Sequence, residues 1–149
     1  MKLKSRVMGK HHFNGTVDIA DPGIIDDMYY ETTVEVVDSD YVCIVWEDKC
    51  NIPRAIGIYA KGLIPKRKNM TESCYVGIDA GLAGFFEKKP EFSDFKGFSK
   101  FWKDVESKET AWKGYKGFFC KSGGVIGEYP VYGMKNNKGK YVALEIHFF

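Results

Sequence analysis

The sequence predicts an α+β fold dominated by β structure: one largely antiparallel sheet system, sandwich-like or half-barrel, with one main helix near residues 92–107. Three observations predict it. Apolar and polar residues alternate with a period of two over Tyr30 to Asp38 and again over Lys140 to Phe149. Turn signals such as Asp21-Pro22-Gly23 and Asn136-Asn137-Lys138-Gly139 punctuate those stretches. Only one segment, after Pro90, shows a three-and-four spacing of large apolar residues.

The elements follow in order. Phe13 to Ala20 reads as a first strand, closed by the Asp-Pro-Gly turn. Tyr30 to Asp38 alternates, with Tyr30, Thr32, Val34 and Val36 on one face and Glu31, Thr33 and Glu35 on the other. Tyr41 to Trp46 is apolar on both faces, as a central strand would be, and Ser39-Asp40 joins the two as an expected hairpin. Pro53 to Ala60 and Cys74 to Asp79 are further strands, separated by a basic loop, Lys61 to Asn69. In the helix, Phe92, Phe95, Phe98, Phe101, Trp102 and Val105 share a face expected to be core, with Ser93 as N-cap and Gly97 weakening the middle. Tyr115 to Cys120, Tyr129 to Lys135 and Lys140 to Phe149 complete the strands, the last facing Val142, Leu144, Ile146 and Phe148 inward and Glu145 and His147 out to solvent.

At 149 residues the chain fits a single β-rich domain, 1–149, with a basic and mobile arm at 1–12 that includes His11-His12. No segment reads as a secretory signal or as long and apolar enough to cross a bilayer, so no membrane partner is expected. The four cysteines form no Cys-x-x-Cys pair, which points to a cytoplasmic setting rather than a metal or disulfide framework. Net charge is +2, but the signs are segregated. Residues 1–10 hold four basic groups and no acid, 13–48 hold ten acids and no base, and the remainder holds eighteen bases against ten acids. Acidic strands lying beside basic ones explain this most simply; a basic face aimed at an anion is the sharper reading, and nothing in the charge argues for nucleic acid.

Two glycine-rich segments are the candidates for function. Asp79-Ala80-Gly81-Leu82-Ala83-Gly84 follows a hydrophobic strand, and Lys121-Ser122-Gly123-Gly124 leads towards Tyr129 and Tyr132. Backbone N–H groups in such segments can cradle an anion. The expected ligand site is therefore where they meet: Arg54 and Lys121 as anion contacts, with Asp79, Gly81, Gly84, Ser122, Gly123, Gly124, Tyr129 and Tyr132 around them. A plainer reading is that the glycines turn tight β corners. An acid at a strand end, as in Ile78-Asp79-Ala80-Gly81, is also how resolvase-type nucleases and actin-like ATPases hold a nucleotide's or a phosphodiester's metal. The alternative function is therefore a divalent-metal-dependent phosphoesterase or nuclease using Asp79, Glu128 and Glu145. No triad, metal cluster or cofactor fingerprint is present in the sequence.

The chain also resembles a domain-of-unknown-function family of small β-rich proteins from bacteria and their phages. The resemblance rests on Ile19-Ala20-Asp21-Pro22-Gly23, Arg54-Ala55-Ile56, the Asp-x-Gly-x-x-Gly-Phe-Phe element from Asp79 to Phe86, and Tyr129-Pro130-Val131-Tyr132. Where relatives often carry an Asp in the second glycine loop, this chain has Ile126. The resemblance implies a fold and a genomic setting but no activity. The expectation is thus a non-catalytic cytoplasmic binding protein, phage-encoded, acting on a host protein or a small anionic, nucleotide-like ligand. An exposed Phe148-Phe149 would give it a sticky edge for homo-oligomers.

Overall fold

Eleven strands and one helix make up the computed structural model, which describes residues 2–23, 32–63, 69–124 and 126–148. One sheet holds β1 (Lys4–Phe13), β4 (Ser39–Glu47), β5 (Pro53–Ala60), β11 (Tyr141–His147), β10 (Gly127–Lys135) and β6 (Thr71–Ile78), in that spatial order. The second holds β3 (Thr32–Glu35), β2 (Thr16–Ala20), β7 (Leu82–Phe86), β9 (Gly117–Lys121) and β8 (Ala111–Gly114). Among the described residues all strand pairs are antiparallel, and only the isolated bridge between Val36 and Tyr141 is parallel. The two sheets face each other over Val17, Ile19, Tyr41, Val45, Ile56, Ile58, Phe85, Phe118, Leu144 and Ile146, each at most 1% exposed. Each such side chain stabilises the sandwich by about 1.5–3 kcal/mol relative to exposure.

The second sheet is covered on its other face too. Helix α1 (Phe95–Val105) lays Phe101 and Val105 against Leu82, Phe86 and Phe119, so β7 is buried at every residue. Alternation explains the layering: Ala83 and Phe85 point between the sheets, Leu82 and Phe86 towards the helix. Backbone approaches backbone closely here, and a Cβ on Gly84 would sit 2.5 Å from the Phe118 carbonyl oxygen.

Several expectations are corrected. From Lys4 the basic arm is an edge strand, paired with β4 from Lys4↔Glu47 to Phe13↔Ser39; its lysines and the bulge at Gly9 protect the edge. The first strand therefore splits at Asn14-Gly15, and β1 and β2 lie in different sheets. The expected hairpin around Ser39-Asp40 is a crossing between sheets, because β3 pairs with β2 and β4 with β1. Asp94, not Ser93, caps α1, accepting from the Gly97 N–H at 2.7 Å. Phe92 precedes the helix and folds back on Phe101, with ring centroids 5.0 Å apart, while Phe95 is 84% exposed rather than core. Tyr115-Lys116 is the tight turn of the β8–β9 hairpin, both residues having positive φ (52° and 58°). Phe148 is 2% exposed and donates its N–H to the Arg54 carbonyl, so it gives no sticky edge; Phe149 lies outside the described residues.

The acids of this block that the structure describes are engaged chiefly by backbone N–H groups, by hydroxyls and by β1. Asp18 accepts from the Thr33 hydroxyl and the Lys89 N–H, each at 2.7 Å. Asp38 and Asp40 take the two ring nitrogens of His12, at 2.6 and 2.8 Å. The acids thus pair with backbone and with the 1–12 strand more than with the lysine-rich remainder.

Candidate functional site

The two glycine segments do meet, because both are corners at which the chain passes from one sheet to the other. Residues 79–81 join β6 to β7 and residues 122–126 join β9 to β10. Ser122 donates its N–H to the Gly81 carbonyl at 2.9 Å, and Gly81, Gly123 and Gly124 have φ of 80°, 73° and 83°. Those left-handed conformations are what the glycines are needed for.

The anion that the first corner suits is already part of the chain. Asp21 is 1% exposed, and its carboxylate accepts from the N–H groups of Gly23 (2.8 Å), Asp79 (3.1 Å), Ala80 (2.7 Å) and Leu82 (3.4 Å). Burial pushes the Asp21 carboxyl up from its ordinary value, while these four donors pull it back down. The Asp-Pro-Gly turn and the Asp-x-Gly corner, 58 residues apart, are one hydrogen-bonded unit.

The other expected site residues disperse. Arg54 donates from Nε to Asp48 Oδ2 at 3.0 Å, and Asp48, which also accepts from the Cys50 and Ile52 N–H groups, is held below the usual carboxylate range chiefly by the Ile52 N–H. Lys121 points to the helix side, where Nζ donates to the Ser107 carbonyl at 3.2 Å and lies 5.5 Å from the centre of the Trp112 ring. Tyr129 packs against the core; Tyr132 is on the opposite face, its ring 4.5 Å from that of His147. Arg54 and Lys121 therefore do not converge on one anion.

The carboxylates of the nuclease alternative are also apart. Asp79 and Glu128 are exposed near the corner, whereas Glu145 is fully buried on the outer face of the six-stranded sheet, with β10 between its strand and β6. Glu145 accepts from the Tyr59 hydroxyl and bonds His147 Nε2 at 2.8 Å, a polar chain rather than the solvated edge expected. Among the described residues no group of three or more His, Cys, Asp or Glu side chains could hold a metal ion. The cysteines are unpaired; burial pushes the Cys43 thiol up to about 12 and Cys120 well above its usual value, which leaves those two unreactive.

A different basic site lies where β1 begins. A cleft of about 530 Å³ is bounded by Lys4, Arg6 and Met8 on β1, Glu47 at the end of β4, Asn51 in the following turn, and Lys108, Glu109 and Thr110 before β8. Arg6 is fixed there: Nε donates to Glu47 Oε1 at 3.0 Å and Nη2 to Thr110 Oγ1 at 3.1 Å, while the Thr110 hydroxyl donates to Glu47 Oε2 at 2.9 Å. Glu47 is 8% exposed, so this ring of three holds the guanidinium in one orientation. Lys4 and Lys108 are exposed beside it and have no ion-pair partner among the described residues. A signal for this was present in the sequence. Lys4, Arg6 and Met8 alternate at strand spacing, which puts all three on one face once 1–12 is read as a strand instead of an arm.

The fold and site define a two-sheet sandwich with one outer helix and a basic cleft at its open edge. Comparison with family models, with curated proteins and with solved structures returns no match.

Proposed function

We propose that the protein is a binding protein for a small anionic ligand, phosphate- or carboxylate-bearing, seated in the cleft between the start of β1 and residues 108–110. The observation that carries this reading is the Arg6 guanidinium. Glu47 and Thr110 engage its Nε and one Nη, and its remaining N–H donors have no acceptor among the described residues. A pre-oriented guanidinium flanked by two exposed lysines is an arrangement suited to a phosphate or carboxylate. The cleft volume falls within the range that encloses a small molecule. Unpaired cysteines support a reducing, cytoplasmic setting, in which phosphorylated metabolites and nucleotides supply such ligands.

The test is thermal unfolding across nucleotides, inorganic phosphate, sugar phosphates and dicarboxylates, followed by calorimetry on any ligand that raises Tm. The expected result is a Tm increase with one anionic class that disappears in the double variant Lys4→Glu, Lys108→Glu and persists in Lys121→Ala. Equal loss in Lys121→Ala would return the site to the glycine corners.

A further inference from the structure

We propose that the cavity between residues 88–92 and the Tyr115-Lys116 turn is a second anion site, separate from the Arg6 cleft, that takes a phosphate group on the ammonium groups of Lys88, Lys89 and Lys116. The segment after β7 and the β8–β9 turn are tied together by the Glu87 N–H, which donates to the Lys116 carbonyl at 2.9 Å. Phe92 and Tyr115 line the cavity and both pack on Phe101, so its apolar wall is anchored to α1. The enclosed volume, about 360 Å³, accommodates a phosphate and a small group esterified to it.

Lys89 is the observation that carries the site. It is 6% exposed and, among the described residues, the one buried cation. Its backbone N–H is fixed by Asp18 Oδ2 at 2.7 Å, but its ammonium has neither a hydrogen bond nor an ion pair among the described residues. In those residues no buried side-chain nitrogen or oxygen lacks a hydrogen-bond partner. The Lys89 Nζ is therefore the part of the side chain that reaches the surface, and the surface it reaches is this cavity. Enclosing a lysine stem costs rotamer freedom and takes hydration from its ammonium, and a bound anion offsets both. Lys116 stands at φ 58° with its side chain exposed, so what it presents to the cavity is its charge. Against the three lysines the cavity is lined by one carboxylate, Glu91. The neighbouring acids are engaged: Glu87 bonds His11 Nε2 at 2.8 Å, and the two oxygens of Asp18 accept from the Thr33 hydroxyl and the Lys89 N–H. Positive charge is thus in excess. Ammonium groups are compact point charges without the planar fork that matches a carboxylate, so three of them around one cavity suit a tetrahedral dianion.

The experiment is a nuclear magnetic resonance titration of the isotopically labelled protein with sodium phosphate at constant ionic strength, read at the amides of Glu91, Tyr115 and Lys116. Sodium acetate is the control and glycerol phosphate the ester. Saturable shifts are expected with phosphate and none with acetate, in the wild type and equally in the double variant Lys4→Glu, Lys108→Glu, so the result does not depend on the cleft. Lys89→Met keeps the apolar stem and removes the ammonium. It should raise the phosphate Kd by roughly tenfold or more, while its urea midpoint without phosphate is no lower than that of the wild type. Lys116→Gly, in an exposed turn that glycine suits, should raise the Kd as well and guards against a folding failure at Lys89. Tighter binding of glycerol phosphate assigns the site to an ester and equal affinity assigns it to the free ion; either upholds the proposal. It is overturned by shifts that do not saturate, by an equal response to acetate, or by unchanged affinity in Lys89→Met and Lys116→Gly. Shifts confined to residues 4–8 and 108–110 would overturn it too, leaving phosphate in the Arg6 cleft alone.

Discussion

The glycine corner and the basic cleft lie at the same end of the sandwich and face the same physical problem in opposite ways. Each gathers hydrogen-bond donors suited to an anion. At the corner, four backbone N–H groups surround Asp21, an acid supplied by the chain itself and 1% exposed. At the cleft, an arginine is held in place by Glu47 and Thr110, and two exposed lysines are left over. Donors satisfied from within make structure, and donors held in place but left over make a site. The more conspicuous sequence motif is the structural one.

The largest expected effects break the corner. Asp21→Ala leaves the N–H groups of Gly23, Asp79, Ala80 and Leu82 without their acceptor and should destabilise the protein by roughly 3–4 kcal/mol in urea unfolding. If the corner were a ligand site with Asp21 as its lid, the same variant would keep its stability and gain affinity for inorganic phosphate. Gly84→Ala drives a Cβ to 2.5 Å from the Phe118 carbonyl and should destabilise by about 3 kcal/mol through overpacking against backbone that cannot yield. By contrast Lys4→Glu and Lys108→Glu should leave the urea midpoint nearly unchanged and weaken the anionic ligand by roughly tenfold each, read by calorimetry. A stability loss at Lys4 comparable to that at Asp21 would erase the distinction between the two regions.

Much of the fold was legible because strand alternation reports burial directly. Leu144, Ile146 and Phe148 are core as the alternation predicts, although Val142 is only half-buried and Ala143, expected to face out, is buried. Tyr41 to Trp46, expected to be buried on both faces, alternates instead: Tyr41, Cys43 and Val45 are core and Val42, Ile44 and Trp46 half-buried. Which strand pairs with which was not legible. Alternation specifies a face, but not whether the next strand returns to the same sheet, and this chain changes sheets at Asn14-Gly15, around Ser39, at 79–81 and at 122–126. Burial on the outer face of a sheet was equally hidden. Glu145 alternates like a solvent residue, yet it is fully buried and accepts from the hydroxyl of Tyr59 on the neighbouring strand β5. The cleft escaped notice because its walls are 41 and 104 residues apart along the chain. The Tyr115-Lys116 turn lacked the Asn-Gly signature, since Tyr115 is retained for its ring, which packs 5.0 Å from that of Phe101. Lys116, exposed at φ 58°, contributes no such packing, so Lys116→Gly should stabilise the hairpin by about 1 kcal/mol.

The smallest effect lies at the far end of β1 and sharpens the comparison by acting as its control. His12 is clamped between Asp40 and Asp38 on the solvent surface, and its pKa is raised from 6.5, first by the bond to Asp40 and then by that to Asp38. A raised imidazole pKa in the folded state favours the protonated form there. The stabilisation is therefore complete below the unfolded value of 6.5 and is lost as pH rises through the higher folded value. The urea midpoint of the wild type should fall across that window, and the fall should be absent in His12→Gln. Ligand affinity in the cleft, at the opposite end of the same strand, should not differ between wild type and His12→Gln at any pH in the window. A shared pH dependence would mean that β1 moves as one lever between clamp and cleft, and the cleft would then be a coupled site instead of a rigid one.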